Sequence, residues 1–128
     1  MLGVDIVEVK RIIEVNDNGK LEDRILSQNE KDYLKNKSTQ VTKTKPYCER
    51  DYSLSGMFAS KEAALKALGI GVNGINFTDI EVLHEPSGKP YLKINPELYK
   101  KVSKKAPKTI ELSIAHDGEM AISVCYMA

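Results

Sequence analysis

The chain has 128 residues, with 19 Lys and Arg against 18 Asp and Glu and a formal net charge of +1 at pH 7. This length predicts one domain over residues 1–128, and the near balance of charge excludes a bulk attraction to nucleic acid or to an anionic membrane. Two cysteines, Cys48 and Cys125, are too few for a disulfide framework, and no Cys or His cluster predicts a zinc site. We therefore expect a reduced, cytoplasmic protein that meets any charged partner through a local patch.

The first segment, MLGVDIVEVKR, mixes β-branched apolar residues with charged ones. Its LGVDIV part predicts a short buried strand that contains Asp5, and EVKRIIEV predicts a helix directly after it. The charged residues interrupt the apolar run that a signal peptide needs. The chain also lacks a run of about eighteen apolar residues, so we expect no membrane-spanning helix.

Two short helices and a connector are predicted next. Residues 21–26 carry apolar side chains at helical spacing, and Ser27 with Glu30 forms the S-x-x-E capping box of a helix over QNEKDYLK. Residues 36–52 are rich in Lys, Thr and other polar residues and follow neither hydrophobic period. That stretch indicates a loop or flexible connector.

The strongest helical pattern lies in MFASKEAALKALGIG, residues 57–71. Its Ala, Leu, Lys and Glu content favours a helix. We expect Ser53 or Ser55 as the N-cap and Gly69 as the C-terminal stop.

The rest of the chain predicts two hairpins and one helix. FTDIEVLH and PYLKI are expected strands on either side of the turn EPSGKP, and PELYKKVSKKA is an expected helix with Asn95 as N-cap and Pro96 at its first position. TIELSIAH and EMAISVCYMA flank Asp117 and Gly118, a pair that favours a type I′ turn. Together these elements predict an α+β domain in which helices pack on a mainly antiparallel sheet.

Lys61 and Glu62 interrupt the apolar face of the predicted long helix. At about 100° per residue they fall within the same arc of the helical wheel as Phe58, Leu65 and Leu68. An ionised carboxylate among apolar neighbours is costly unless a partner compensates it. The pair is therefore a candidate for chemistry.

Asp5 and Glu62 each have a structural explanation when taken alone. An aspartate near a strand end can accept backbone hydrogen bonds, and Glu62 with Lys66 forms an i,i+4 pair worth about 0.2–0.5 kcal/mol. If the first strand packs on the helix, however, the two carboxylates converge, and Lys61 can neutralise only one of them. Two hard oxygen ligands with open positions suit Mg²⁺, and nearby lysines favour a phosphate-bearing ligand.

Two further features have alternative interpretations, and a third has no expected role. The glycines after the helix, Gly69 and Gly71, allow close backbone approach to a ligand, or they serve only as a helix stop and a turn. His116, at the end of a predicted strand, either contacts a phosphate or caps the hairpin through Asp117. His84 is expected to be a surface residue without a role.

Two segments resemble the signatures of the holo-[acyl-carrier-protein] synthases, the short class of 4′-phosphopantetheinyl transferases. GVDIVEVKRI at 3–12 is similar to G-x-D-[IV]-x-E-x-x-R-[IV], and FASKEAALKALGIG at 58–71 is similar to F-[AS]-x-K-E-A-x-x-K-A-x-G-x-G. Weaker likeness in ILSQNE, SGKPYLKI and LSIAHDGEMAISV extends the resemblance over nearly the whole chain.

The resemblance implies the phosphopantetheinyl transferase fold and transfer of 4′-phosphopantetheine from coenzyme A to a serine of an apo acyl carrier protein, releasing adenosine 3′,5′-bisphosphate. It implies that Asp5 and Glu62 hold a Mg²⁺ that bridges the pyrophosphate. It leaves the general base open between Glu62, acting through a water, and Lys61. The implied contacts to phosphates and the nucleotide come from Lys61, Lys66, Gly69, Gly71 and His116, and those to the acidic helix of the carrier protein from Arg11 and Arg24.

The resemblance also implies a homotrimer with active sites between protomers, acting in fatty-acid biosynthesis or on a polyketide carrier. Three features depart from the family pattern: Met57 stands where an arginine or similar polar residue is common, Ala115 replaces a hydroxyl residue, and the connector at 36–52 is long. The alternatives are a coenzyme A or nucleotide-binding module without catalysis and a purely structural trimer. The sequence leaves open whether acyl-coenzyme A is accepted and whether Mg²⁺ or Mn²⁺ is preferred.

Overall fold

The computed structural model describes all 128 residues and contains five α-helices and five strands. The helices are α1 (Val9–Val15), α2 (Lys20–Ile25), α3 (Gln28–Lys35), α4 (Glu49–Leu68) and α5 (Pro96–Lys101). The strands are β1 (Leu2–Glu8), β2 (Ile80–His84), β3 (Pro90–Ile94), β4 (Ile110–Asp117) and β5 (Met120–Met127). The predicted α+β class is confirmed.

All strand pairs are antiparallel. The first sheet has the order β1-β5-β4, and β2 pairs with β3 in a separate two-stranded sheet. The chain ends therefore meet in one sheet, where Asp5 lies opposite Ser123 and Leu2 opposite Tyr126. The expected hairpins are both present, although they belong to two sheets.

Helix α4 is the central element, and it packs against both β1 and β5. A Cβ atom on Gly3 would lie 1.9 Å from the carbonyl oxygen of Ala63, so β1 crosses α4 at a distance that only glycine permits. On β5, the Ser123 hydroxyl is 2.9 Å from the hydroxyl of Ser60. The close crossing brings Asp5, two residues after Gly3, to the side of α4 that carries Glu62.

The two faces of β1 differ in burial. Gly3, Asp5 and Val7 share one face of the strand, on which Gly3 is buried and the other two are partly buried. Its other face carries Leu2, Val4 and Ile6, which are 68%, 50% and 58% exposed. The expectation of a strand buried throughout is therefore wrong for this face. We call it the outer sheet face; with the cross-strand residues of β5 it comprises Leu2, Val4, Ile6, Ile122, Val124 and Tyr126.

The start of α4 differs from the prediction. The helix begins at Glu49 with Cys48 at the N-cap position, so the predicted caps Ser53 and Ser55 lie inside the helix. Ser55 instead donates a hydrogen bond from its hydroxyl to the Asp51 carbonyl. The last four residues of the predicted 36–52 connector are therefore helical, because Tyr52 continues the buried side of α4.

Two smaller differences concern the end of a helix and the type of a turn. The helix predicted over PELYKKVSKKA ends early, at Lys101, and the backbone of Ser103 has φ 56°, which is not helical. In the hairpin between β4 and β5, Asp117 pairs with Met120, so Gly118 and the residue after it form the turn. Only Gly118 has a positive φ there, which excludes the expected type I′ turn and fits type II′.

Several local predictions are confirmed. Ser27 and Glu30 form a complete capping box, Gly69 ends α4 with φ 69°, and the Asn95 side chain caps α5 with Pro96 in its first turn. None of the helices has both the length and the apolar character that crossing a membrane requires.

Candidate functional site

A cleft of about 460 Å³ lies between β1, α1, α2 and α4. We call it the main cleft. Its charged lining consists of Asp5, Glu8, Arg11, Arg24 and Glu62, and apolar side chains that include Phe58 and Leu21 form the rest. A concave, largely apolar surface with a few converging charges is the usual form of a ligand site. The main cleft therefore brings together four of the residues predicted from the sequence: Asp5, Glu62, Arg11 and Arg24.

Asp5 has one carboxylate oxygen with partners and one without. The ammonium of Lys66 lies 3.0 Å from Asp5 Oδ1 and also donates to the Val4 carbonyl at 3.0 Å. The second oxygen, Asp5 Oδ2, is buried and accepts no hydrogen bond. Buried carboxylate oxygens without a donor are uncommon, and one that lines a cleft indicates a place for a bound cation or donor.

Glu62 lies in a setting that disfavours its negative charge. Partial burial raises the pKa of Glu62, the nearby Asp5 carboxylate raises it further, and Lys66 only partly opposes this. A cation shared by the two carboxylates would remove both unfavourable effects.

The pair of carboxylates fits Mg²⁺ better than a metal that needs a full set of protein ligands. No group of three His, Cys, Asp or Glu side chains is close enough to form a complete site. Mg²⁺ commonly uses one or two carboxylates and completes its octahedron with water and substrate phosphates, whereas structural zinc takes four protein ligands. The residues present are thus compatible with Mg²⁺ and with a phosphate-bearing ligand beside it.

Lys61 is not part of the main cleft. Its side chain is fully buried, and its ammonium donates to Glu30 Oε1 at 2.8 Å and to three carbonyl oxygens, those of Ile25, Phe77 and Ile80 at 2.7, 3.0 and 2.6 Å. Burial lowers the pKa of Lys61, while the Glu30 carboxylate opposes that shift. The predicted phosphate contact and catalytic role of Lys61 do not fit this enclosed position.

The difference between Lys61 and Glu62 follows from helix geometry. Consecutive residues point about 100° apart, so one of the two faces the core while the other reaches the cleft. On the helical wheel drawn from the sequence, both side chains fall within one wide apolar arc, so the sequence did not show that they point in different directions.

Gly69 and Gly71 lie beyond Lys66 at the end of α4 and do not line the main cleft. Gly69 is the helix stop, with its N–H directed to the carbonyls of Leu65 and Lys66. Gly71 is exposed, and a Cβ atom there would meet nothing within 4 Å, so packing in this chain does not require a glycine. The structure gives Gly69 a structural role and places neither glycine against the carboxylates.

His116 lies in a different cavity, of about 180 Å³, that also includes His84 and Met57. We call it the histidine cavity. The His116 ring stacks on Tyr52 at 4.3 Å between centroids, and burial, assisted by Lys45, lowers the pKa of His116. The Tyr52 hydroxyl donates to the Gly118 carbonyl rather than to His116. Within one chain, the structure does not bring His116 to Asp5 and Glu62.

His84 is not the plain surface residue that the sequence suggested. Its ring stacks on Tyr33 at 3.8 Å with an interplanar angle of 5°, and its Nδ1 atom is buried without a partner. Burial, together with Lys37, lowers the pKa of His84.

Sequence reasoning missed other residues. Glu30 was assigned only to a capping box, but it is fully buried and is the partner of Lys61. Glu8 and Phe58 lie in the cleft without having been assigned to it. Both stand within the two signature segments, which is the signal that could have identified them.

The family model that matches this chain is that of the 4′-phosphopantetheinyl transferase superfamily, and the match covers residues 1–125. A holo-[acyl-carrier-protein] synthase of Clostridium kluyveri is 37% identical over 98% of this chain and 87% of its own length. The enzyme of the same name from Campylobacter hominis is 38% identical over 96% of this chain and 93% of its own.

Solved structures agree with the sequence comparison. The Helicobacter pylori holo-[acyl-carrier-protein] synthase in complex with coenzyme A matches with a TM-score of 0.79 and 29% identity, covering all of both chains. The Bacillus anthracis synthase in complex with CoA (3′,5′-ADP) matches with a TM-score of 0.74 and 31% identity over 98% of this chain and 93% of the other. The chain therefore belongs to the 4′-phosphopantetheinyl transferase superfamily, among its holo-[acyl-carrier-protein] synthases.

Proposed function

We propose that this chain transfers 4′-phosphopantetheine from coenzyme A to a serine hydroxyl of an apo acyl carrier protein, producing the holo carrier protein and adenosine 3′,5′-bisphosphate. Residues 1–128 act as one transferase domain. Relatives of the same length class carry this enzyme name, and two similar structures contain coenzyme A or its nucleotide. The observation in this chain that carries the proposal is the convergence of Asp5 and Glu62 in the main cleft, with Asp5 Oδ2 left without a donor.

Asp5 and Glu62 would hold a Mg²⁺ in this site. When bound, the ion supplies positive charge against the pyrophosphate and the leaving bisphosphate. Mn²⁺ prefers similar oxygen ligands, and transfer assays with each metal alone would distinguish the two.

In the reaction, the serine oxygen forms a bond to the β-phosphorus of coenzyme A, and the bond from that phosphorus to the bridging oxygen of the bisphosphate breaks. The electron pair of the broken bond leaves with the bisphosphate, and the serine proton passes to a base. Glu62 is the remaining candidate for that base, acting through a water, because the Lys61 ammonium is enclosed. Lys66, whose side chain is 54% exposed beside Asp5, can contact a phosphate oxygen at the cleft.

The carrier protein would dock beside the same cleft. Arg11 and Arg24 are exposed, and both line the main cleft. Guanidinium groups suit the carboxylates of an acidic helix, and an exposed charged contact of this kind weakens with added salt. Arg11 and Arg24 are therefore the proposed carrier contacts.

A homotrimer with shared active sites would explain two features that one chain leaves unexplained. The outer sheet face exposes six large apolar residues on paired strands, a pattern that marks interaction surfaces. His116 lies outside the main cleft of its own chain, so it could reach coenzyme A only in the cleft of a neighbour. A closed ring of identical chains satisfies both conditions.

The direct test is intact mass spectrometry of an apo acyl carrier protein incubated with coenzyme A, Mg²⁺ and this protein. We expect a phosphopantetheine-sized mass gain that EDTA abolishes and that Glu62→Gln reduces by roughly a hundredfold or more, the range for a lost catalytic charge. Glu97→Gln is the matched control, because Glu97 is an exposed carboxylate on α5 away from the cleft. No mass gain with fatty-acid and polyketide carriers, in a preparation that still binds coenzyme A, would favour the non-catalytic binding module.

Shared active sites can be tested by mixing two impaired variants. Chains with Glu62→Gln lack the metal ligand, and chains with His116→Ala lack the histidine. If the site combines residues of two chains, mixed oligomers regain part of the wild-type activity, whereas each variant alone stays strongly impaired. A monomer in sedimentation, or no recovery after verified mixing, argues against the trimer. The expected cytoplasmic location stays a prediction.

A further inference from the structure

A fully enclosed ion pair, Lys61 with Glu30, joins α4 to α3 on the side of α4 that we call the inner side. Lys61 and Glu30 are both 0% exposed, and their charged atoms are 2.8 Å apart. Glu30 Oε1 also accepts from the Ser27 N–H at 3.0 Å, and Oε2 accepts from the Val82 N–H at 2.9 Å. The pair is therefore supported by hydrogen bonds on both partners.

The Lys61 ammonium joins segments that carry residues of the cleft. Lys61 directly precedes Glu62 on α4. One of its acceptors is the Ile25 carbonyl at 2.7 Å, at the end of α2, and Ile25 directly follows Arg24. Another acceptor is the Phe77 carbonyl at 3.0 Å, and the Phe77 ring stacks on Phe58, which also lines the cleft.

These hydrogen bonds constrain the relative positions of the segments more tightly than an apolar contact would. Replacing a buried ion pair by apolar side chains often leaves stability unchanged or improves it, so stability alone is a weak reason for the pair. Hydrogen bonds from one ammonium to several carbonyls, in contrast, specify distances and directions between the elements that carry them.

We propose that Lys61 is a positioning residue for the transfer reaction: its ammonium fixes α4 against the end of α2 and so sets the spacing between the metal ligand Glu62 and the carrier contact Arg24. The inference rests on the proposed function. Lys61 touches neither coenzyme A nor the carrier protein. Its loss should therefore weaken metal use and carrier binding together.

The test compares steady-state transfer by the wild type, the double variant Lys61→Met with Glu30→Met, and the control Glu97→Gln. The double variant removes both charges, so it leaves no uncompensated ion in the core. We expect a folded protein in which the half-saturating Mg²⁺ concentration and the carrier KM both rise by roughly threefold to tenfold, a loss of up to about 1.4 kcal/mol in each binding free energy. We expect kcat at saturating substrates to fall by less than about tenfold.

Two other outcomes would overturn the inference. Unchanged Mg²⁺ and carrier saturation in the folded double variant would show that the pair serves stability only. A fall in kcat of roughly a hundredfold or more with both saturation values unchanged would instead indicate direct chemistry by Lys61.

Lys61→Gln with Glu30→Gln provides a second double variant if the first one fails to fold. It removes both charges, so it also leaves no uncompensated ion in the core, and neither residue is part of the cleft lining. The same joint rise in Mg²⁺ and carrier saturation is expected, and unchanged values would contradict the proposal. Absence of transfer by the wild type would reject the proposed function itself, whereas an active wild type with unaltered variants rejects only the role of Lys61.

Discussion

The two sides of α4 carry similar charged groups, but only the groups on one side have all their hydrogen-bond partners within the chain. On the inner side, Lys61 and Glu30 are enclosed, and each charged group has several hydrogen-bond partners. On the cleft side, Lys66 bonds to Asp5 rather than Glu62, and Asp5 Oδ2 has no donor. The same residue types thus form a completed hydrogen-bond network on one side and leave a buried carboxylate oxygen without a partner on the other.

The comparison explains why burial alone does not identify a functional charge. The most deeply buried charged pair, Lys61 with Glu30, has no open position for a ligand, because its bonds are already made within the chain. Asp5 and Glu62, which are only partly buried, retain an oxygen without a partner and a disfavoured negative charge. In α4, polar atoms without a hydrogen-bond partner therefore indicate a functional charged residue better than burial does.

The largest effect should follow from breaking the inner network on one side only. Lys61→Met leaves the Glu30 carboxylate buried without its cation, and we expect a loss of about 3–5 kcal/mol in the free energy of unfolding. Urea denaturation at a fixed protein concentration measures it. A loss below about 1 kcal/mol would mean that water reaches Glu30 and that the network is less closed than the structure indicates.

Gly3→Ala tests the contact that brings the two carboxylates together. The added methyl would lie 1.9 Å from the Ala63 carbonyl oxygen and 2.6 Å from the Ala67 nitrogen, both backbone atoms, so β1 must move away from α4. Overpacking of this kind costs about 1–3 kcal/mol. We also expect a higher Mg²⁺ requirement, because Asp5 moves with the strand.

Gly74→Ala is a matched control for that change. A Cβ atom on Gly74 meets nothing within 4 Å, although its φ of 74° adds some backbone strain. It should lower stability without altering the Mg²⁺ requirement. Equal metal dependence in the Gly3 variant and the wild type would contradict the role of the close crossing.

Much of the fold followed from local chemistry that acts within a few residues. The Ser27 capping box, the Gly69 stop and the Asn95 cap depend on side chains beside the backbone groups that they satisfy, so sequence spacing predicts them. The meeting of Asp5 and Glu62 required only that the first strand pack on the helix.

The remaining features depend on contacts that sequence spacing does not contain. Lys61 was placed with the phosphate ligands because a helix buried on most sides shows one wide apolar arc, and the arc does not reveal which side meets the cleft. Its partner Glu30 lies 31 positions earlier in the chain. The separation of His116 from the carboxylates follows from the strand order β1-β5-β4, which a list of elements leaves open.

A pH experiment tests whether the core between α4 and the three-stranded sheet is sealed from water. Cys125 on β5 is fully buried, and burial raises its pKa from 9.0 to about 11. The unfolded chain therefore loses this proton at a lower pH than the folded chain. The stability that Cys125 contributes should be fully present below about pH 9 and should be lost as the pH rises toward about 11.

The matching variant is Cys125→Ala, compared with the wild type by thermal unfolding across that pH range. The variant is less stable at neutral pH because it leaves a small cavity, but the difference between the two proteins should shrink as the pH increases. A constant difference would mean that the thiol titrates alike in both states. The folded wild type should also resist alkylation by iodoacetamide at pH 8, because the thiol is buried and protonated.

The smallest stability effect is expected on the cleft side of α4. Lys66→Ala removes an ion pair whose lysine side chain is 54% exposed, and such pairs contribute about 0–1 kcal/mol. Activity should change more than stability, because the substitution leaves Asp5 without its partner and removes the cation beside it. We expect the coenzyme A KM to rise while the midpoint of urea unfolding stays nearly constant. Lys100→Ala, which removes an exposed pair on α5, should change neither quantity, and a Lys66 variant that behaved like it would show that the cleft-side network is as dispensable as an ordinary surface pair.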